Sequence, residues 1–234
     1  KIGLFIAEGT KCLEDTFVHF DVEALIMLDG SAFDAGRYSI TPHIADSSDM
    51  RRISQFQTLP DVIGVYRIPE PQPIDEAMLS TSLTLLLDGI QDPGNLGTIL
   101  RIASWFGIGQ VVLGKGCADP YNPKAVQSSM GAVGMVRTVQ ADLIELAEAH
   151  PDIPLCGTLL EGSDIYTTPL PSPAMIAMGN EGNGLSEQLR RRVTLPLHIP
   201  SFANTPHAES LNVAAATAVT VSEFRRRQYY PIPN

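Results

Sequence analysis

Apolar positions along the chain come in short unbroken runs rather than in strict alternation, with polar, helix-like segments between them. In the first third, GLFIAEG and VEALIML read as short buried strands, GTKCLEDTFVHF and SSDMRRISQF as helices, and VIGVYRIP as a further strand. IPEPQPIDEAMLS, residues 68–80, then places Pro69, Pro71 and Pro73 in alternation. Proline repels both helix interior and central strand, which predicts a boundary near residue 72 and two units, 1–72 and 73–234. Beyond it the runs SLTLLLD, GQVVLG, GMVRTV, PLCGTLL, AMIAMGN and VTLPLHIP have strand length. NLGTILRIASWFG, NPKAVQSSMGAV and ADLIELAEAH read as helices between them, the second with Asn122 as cap and Pro123 in the first turn. Continuous apolar strands separated by helices predict a mostly parallel sheet covered on both faces, so the fold class is α/β with a small α/β unit in front.

Composition narrows the class. At 234 residues and 44% hydrophobic the chain can bury a substantial core, and no apolar run approaches the ~20 residues of a membrane-spanning helix. The opening KIGLFIAEGTK is too short in apolar residues, with Glu8 behind it, to read as a secretion signal, and the absence of an initial Met leaves preceding residues open. Cys12, Cys117 and Cys156 are odd in number and share no CxxC spacing, which argues against a disulfide framework and a zinc site and for a reducing cytoplasm. The net charge of -10 counts against a nucleic-acid partner until clustering is considered. Arg51-Arg52, Arg190 to Arg192 and Arg225 to Arg227 hold half of the 16 basic residues. Each cluster reads as a solvated helix face or as a phosphate contact.

In parallel sheets ligands bind beyond the carboxyl ends of the strands, and three exits carry suitable residues. In DPGNLGTILR, Gly94 and Gly97 would let backbone approach a ligand, Asn95 would cap a helix, and Arg101 falls in the second turn. In MGNEGNGLS three glycines in six positions surround Asn180 and Glu181, forming a plain turn or a loop whose amides face an anionic or adenosine-bearing ligand. In ESLNVAAATAVTVSEFRRR, Ser210 and Asn212 open a helix of small apolar residues that must be covered on most faces, by its own sheet or by a second copy.

In order and wording, DPGNLGTILRIA, MGNEGNGLS and the IP that precedes SLNVAAATAV resemble the three motifs of the SpoU/TrmH family of RNA 2'-O-ribose methyltransferases. FIAEGTKCLED through ISQFQTLPDVIGVYRIP is similar to the substrate-binding domain that precedes the catalytic domain in many members. The resemblance implies a deep trefoil knot in residues 73–234 and S-adenosylmethionine as methyl donor, with no metal. It also implies a homodimer acting on RNA, ribosomal rather than transfer RNA by the two-domain layout. Carried over by motif, Asn95, Arg101, Glu181, Ser210 and Asn212 are the catalytic and substrate-positioning residues. Thr158, Gly179, Asn180, Gly182, Ile199 and Leu211 hold the donor, and Arg51 and Arg52 meet RNA. Arg101 would grip the phosphate beside the target ribose with its planar fork, or pair with Glu181 for stability alone. SFANTPHAE, residues 201–209, departs from the family by its length and lack of glycine, with His207 a candidate substrate contact or a solvent-facing side chain. A catalytically idle RNA-binding protein on the same fold, and an α/β nucleotide-binding enzyme without RNA, are the competing readings.

Overall fold

The computed structural model describes residues 3–180, 182–205 and 208–230. The first unit is a four-stranded sheet in the order β1-β4-β2-β3, built from β1 (Leu4–Glu8), β2 (Val22–Leu28), β3 (His43–Ala45) and β4 (Val62–Arg67). The central β4 runs antiparallel to both neighbours, and β3 joins β2 in parallel. α1 (Thr10–Phe17) leaves β1 through Gly9, whose φ of 84° suits a residue without Cβ. α2 (Ser47–Ile53) starts at Asp46, whose carboxylate accepts from the amides of Ser48 and Asp49.

The second unit is a six-stranded sheet of β5 (Leu83–Asp88), β6 (Gln110–Leu113), β7 (Arg137–Gln140), β8 (Leu155–Asp164), β9 (Ala174–Gly179) and β10 (Leu195–His198). The order is β10-β8-β9-β5-β6-β7 and every pairing is parallel, as the unbroken apolar runs predict. Leu83, Leu85 and Leu87 pack on one face with Leu96, Ile99, Leu100 and Ala103 of α4 (Pro93–Trp105) and with Val221 and Phe224 of α9 (Val213–Tyr229). Leu86 and Val112 pack on the other with Leu79 of α3 (Glu76–Thr81), Leu143 and Leu146 of α7 (Leu143–Ala149) and Leu189 of α8 (Glu187–Arg190). Each fully buried leucine contributes about 1.5–3 kcal/mol, so removal of either helical layer would unfold the sheet.

Some elements differ from the sequence expectation. NPKAVQSSMGAV is two helices, α5 (Pro123–Ser129) and α6 (Ala132–Met135), because Met130 and Gly131 turn the chain at φ 49° and 81°. α3 emerges directly after the prolines, capped by Asp75, whose side chain accepts from the Met78 amide. The short strand β3, α8 and a 3-10 turn at Ala35–Tyr38 have no counterpart in the expectation.

The two sheets meet through α5 and α6. Val126 and Tyr121 pack with Phe5, Tyr66 and Phe20, and the Phe5 and Tyr121 ring centroids are 5.0 Å apart. A Cβ on Gly131 would lie 2.6 Å from the Cβ of Asp15, and one on Gly134 2.4 Å from that of His19, so bare backbone of the second unit rests on α1 and the turn after it. The proline segment is also held down: Arg137 donates to the Pro73 carbonyl through Nε at 3.2 Å and a terminal nitrogen at 2.6 Å. Among the described residues no helix is long and apolar enough to cross a membrane.

Candidate active site

The exit of β5 starts the site. Asp88 ends the strand, and Asp92 caps α4 by accepting from the Asn95 amide at 2.9 Å, with Pro93 in the first turn. The cap is therefore Asp92, not Asn95, because the Asp-Pro-Gly sequence starts the helix earlier, and Arg101 falls in the third turn rather than the second. Lys124 of α5 donates to the other Asp92 oxygen at 2.6 Å. That bond, then the Asn95 amide, holds the Asp92 carboxyl below its ordinary range. Gly97 does not open backbone to a ligand as expected. A Cβ there would lie 2.3 Å from the Ala125 carbonyl oxygen, so it is a second helix that approaches.

Asn95 meets the third motif. Asn212 caps α9 by accepting from the Ala214 and Ala215 amides at 2.9 and 3.3 Å, and its side-chain nitrogen donates to Asn95 Oδ1 at 3.0 Å. The N-termini of two long helices, 13 and 17 residues, are thereby joined at the strand exits. Their positive ends converge where a phosphate or an incipient alkoxide is best stabilised. Ser210 and Leu211 are exposed immediately before this cap. Arg101 is exposed about 120° round α4 from Asn95, on the face of Thr98 and Trp105. Among the described residues it makes no hydrogen bond or ion pair, and Glu181, its alternative partner, lies outside those residues, as does His207.

The glycine-rich loop leaves β9. The pair Asn180 and Gly184 exchange both backbone hydrogen bonds at 2.9 Å, and Asn180 Oδ1 accepts from the Gly182 and Asn183 amides at 2.9 and 3.2 Å. The Gly182 and Asn183 amides thus bond within the loop, which is the plain-turn arrangement of the two the sequence leaves open. A Cβ on Gly179 would lie 2.2 Å from the Gly184 carbonyl carbon, so this tight fold requires glycine. Two bonds clasp the loop to β5: Asn180 Nδ2 donates to the Gly89 carbonyl at 2.8 Å, and the Ser186 amide to Asp88 Oδ2 at 2.7 Å. Gly179, Thr158 and Ile199 fall on or just beyond three neighbouring strands, β9, β8 and β10. The Thr158 hydroxyl donates to the Ala177 carbonyl at 3.2 Å. Asp88, Asp92 and Lys124 escaped the sequence reading, although an Asp before Pro-Gly is a recognisable helix start.

The arginine clusters separate. Arg51 and Arg52 are exposed on α2, Arg52 within 3.5 Å of Asp49. Arg191 pairs with Glu187 and Arg192 with Glu148. Arg225 holds the Phe106 and Gly107 carbonyls at 2.7 and 2.8 Å, while Arg226 and Arg227 both hold Glu223. Arg225 thus ties α9 to the end of α4, while Arg226 and Arg227 are paired within α9, so this cluster is more than a solvated helix face. Cys12 and Cys156 are buried free thiols pushed up to about 11 and about 12 by desolvation. Among the described residues no group of three or more His, Cys, Asp or Glu side chains is placed to hold a metal ion.

Comparison with known proteins bears on this geometry. The chain is 33% identical over 231 residues to the 23S rRNA (guanosine(2553)-2'-O)-methyltransferase RlmP of Bacillus subtilis, covering 96% of this chain and 90% of that protein. It is 30% identical over 204 residues to the 23S rRNA (guanosine-2'-O-)-methyltransferase RlmB of Neisseria meningitidis serogroup B, covering 83% and 80%. A solved TrmH-family structure from Porphyromonas gingivalis superposes with a TM-score of 0.80 at 37% identity, covering 96% and 90%. The AdoMet complex of the SpoU methyltransferase AviRb from Streptomyces viridochromogenes shares the fold at TM-score 0.82 and 22% identity, covering 97% and 91%. The model of the SpoU rRNA Methylase family matches residues 82–222, a span that contains the β5 exit, the glycine-rich loop and the Asn212 cap, and the chain belongs to that family.

Proposed function

We propose that this chain transfers a methyl group from S-adenosylmethionine to a ribose 2'-hydroxyl of ribosomal RNA. The Asn95–Asn212 bridge carries the reading, because it joins the first and third motifs at the ends of two helices beside the clasped glycine-rich loop. Similarity over 96% of the chain to RlmP and over 83% to RlmB supports ribosomal RNA as the substrate class.

The residues fit the donor. Gly184 has open space where a side chain would stand, and Leu211 leaves about half its apolar surface uncovered, 54%, near the same strand exits. An adenosine seats well on such bare backbone and apolar surface. Gly179, Asn180, Gly182, Thr158, Ile199 and Leu211 would hold it, Asn180 by shaping the loop. The donor supplies an electrophilic methyl on a sulfonium. The chain's own residues must place the 2'-oxygen in line with it and ease the loss of its proton. Asn95, Ser210, Asn212 and Glu181 position the ribose. Arg101 grips the adjoining phosphate and stabilises the alkoxide, too basic itself to act as base, while the proton passes to phosphate or solvent.

Arg101 lies on an outward face of α4 with Trp105, 84% exposed, and α9 presents Ala215 and Ser222 to solvent. Such a face supports a homodimer that covers α4 and α9 and brings the Arg101 of one copy towards the site of the other. The reading extends to the trefoil knot in residues 73–234, to RNA binding by residues 1–72, and to the cytoplasm, where ribosomal RNA and free thiols coexist. The test is methyl transfer from labelled S-adenosylmethionine to unmodified 23S rRNA transcript, mapped by resistance to alkaline cleavage. One alkali-resistant ribose per transcript is expected. Donor binding with no labelled RNA from either ribosomal subunit would sink the reading.

A further inference from the structure

Glu8 is a buried carboxylate that the methyl-transfer site does not use. It ends β1 at 4% exposure and accepts from Ser54 Oγ at 2.5 Å and from the Gln55 amide at 2.9 Å. The Phe56 amide in turn donates to Ser54 Oγ at 3.1 Å. Burying a carboxylate is costly unless hydrogen bonds offset the lost hydration, and both of these donors come from the segment after α2. Glu8 therefore sets the course of that segment. What it holds out is surface: Arg51, Arg52, Ile53, Gln55, Phe56 and Gln57 are all exposed.

The composition of this tip is unusual for a chain of net charge -10. Arg51 has no ion pair among the described residues, and Arg52 has only the exposed Asp49 contact at 3.5 Å. The carboxylate of Asp46 at the start of α2 is occupied with the helix cap. Beside the two guanidinium groups stand Ile53 and Phe56, each 37% exposed, and two side-chain amides. Guanidinium for phosphate, an aromatic face for an unstacked base and an amide for a base edge are together what looped or single-stranded RNA requires.

We propose that residues 51–57 form a platform that reads an unpaired nucleotide of the substrate RNA. Phe56 stacks on the base, Arg51 and Arg52 hold the flanking phosphates, and Glu8 is the positioning residue that fixes the platform. This rests on the RNA substrate proposed above. The probe is an unmodified 23S rRNA transcript containing 4-thiouridine, with binding, photocrosslinking and methyl transfer measured on the full chain. Phe56→Ala should weaken transcript binding about tenfold and raise KM for RNA, and Phe56→Tyr should restore both. The kcat at saturating RNA and the donor Kd should stay unchanged. Crosslinks in the wild type should map within residues 51–57. Glu8→Gln should weaken binding with an unaltered salt slope, whereas Arg51→Gln with Arg52→Gln should flatten that slope. Wild-type binding left within twofold by Phe56→Ala overturns the platform alone. No wild-type binding to any rRNA transcript refutes the RNA reading and the platform with it. Loss of binding only to assembled ribosomal particles would assign the tip to a protein partner and also overturn the proposal.

Discussion

The side-chain nitrogen of Asn212 donates to the side-chain oxygen of Asn95 at 3.0 Å, across 117 residues of chain. The orientation of both amides follows from the cap. Asn212 must turn its oxygen to the Ala214 and Ala215 amides, so its nitrogen faces Asn95, which must answer with oxygen. One side chain thus starts α9 and ties it to α4. Asn212→Asp keeps a capping acceptor but places a carboxylate against the Asn95 oxygen. Thermal unfolding should shift little, by the equivalent of about 1 kcal/mol or less, while methyl transfer falls at least tenfold. Wild-type turnover in this variant would show that the bridge has no part in the reaction.

Asp88 tests the clasp on the glycine-rich loop. Its carboxylate accepts from the Ser186 amide at 2.7 Å, a bond between chain segments 98 residues apart. Hydrogen bonds to charged groups contribute about 1.5–3 kcal/mol, so Asp88→Ala should weaken S-adenosylmethionine binding by about tenfold or more in calorimetric titration. Asp88→Asn retains an oxygen acceptor and should recover most of that loss. Equal donor affinity in wild type and Asp88→Ala would separate the clasp from the donor site.

Arg101 is tested by keeping its charge. Arg101→Lys should fold, associate and bind donor normally, yet lose most of the single-turnover methylation rate, because lysine lacks the planar two-point grip. Misplacement by about an ångström can cost on the order of a hundredfold. Near-normal turnover would reject the grip, and loss of fold or dimer would make Arg101 a stability residue.

Acid should loosen α9. The Arg226 hydrogen bond, then that of Arg227, holds the Glu223 carboxyl below its ordinary range against the opposing effect of burial. A carboxyl with a depressed folded pKa adds stability above its unfolded value, about 4.3, and loses it as pH falls through the folded one. Glu223→Gln should therefore lower the Tm at pH 7 by about 2–4 °C, and the gap should close below about pH 4. A gap independent of pH would assign the effect to packing.

The parallel sheet was legible because strands buried on both faces, such as Leu83 to Leu87, must be continuously apolar. α8 was not, since four residues with one buried leucine carry no periodic pattern. The break at Met130 was hidden because only Gly131 hints at it. In the site, motif order brought out Asn95 and Asn212. Their contact was invisible, as were the tethering of Arg225 to the Phe106 and Gly107 carbonyls and the use of Gly97 as a seat for Ala125. Such partners are set by chain topology, which local pattern does not encode. The misplaced cap is the opposite case: Asp92 was in plain view three residues before Asn95.

The bare backbone at Gly131 and Gly134, seated on Asp15 and His19, leaves no slack where α6 meets α1 and the turn after it. A hinge needs room, and these contacts supply none. The separation between α2 and the Asn95–Asn212 pair then works as a calliper of preset opening. If α2 meets one nucleotide of the RNA as proposed, the reactive ribose must lie at that span from it, and target choice would become a matter of length. Widening either glycine to alanine would reset the calliper without touching a single group that meets the RNA.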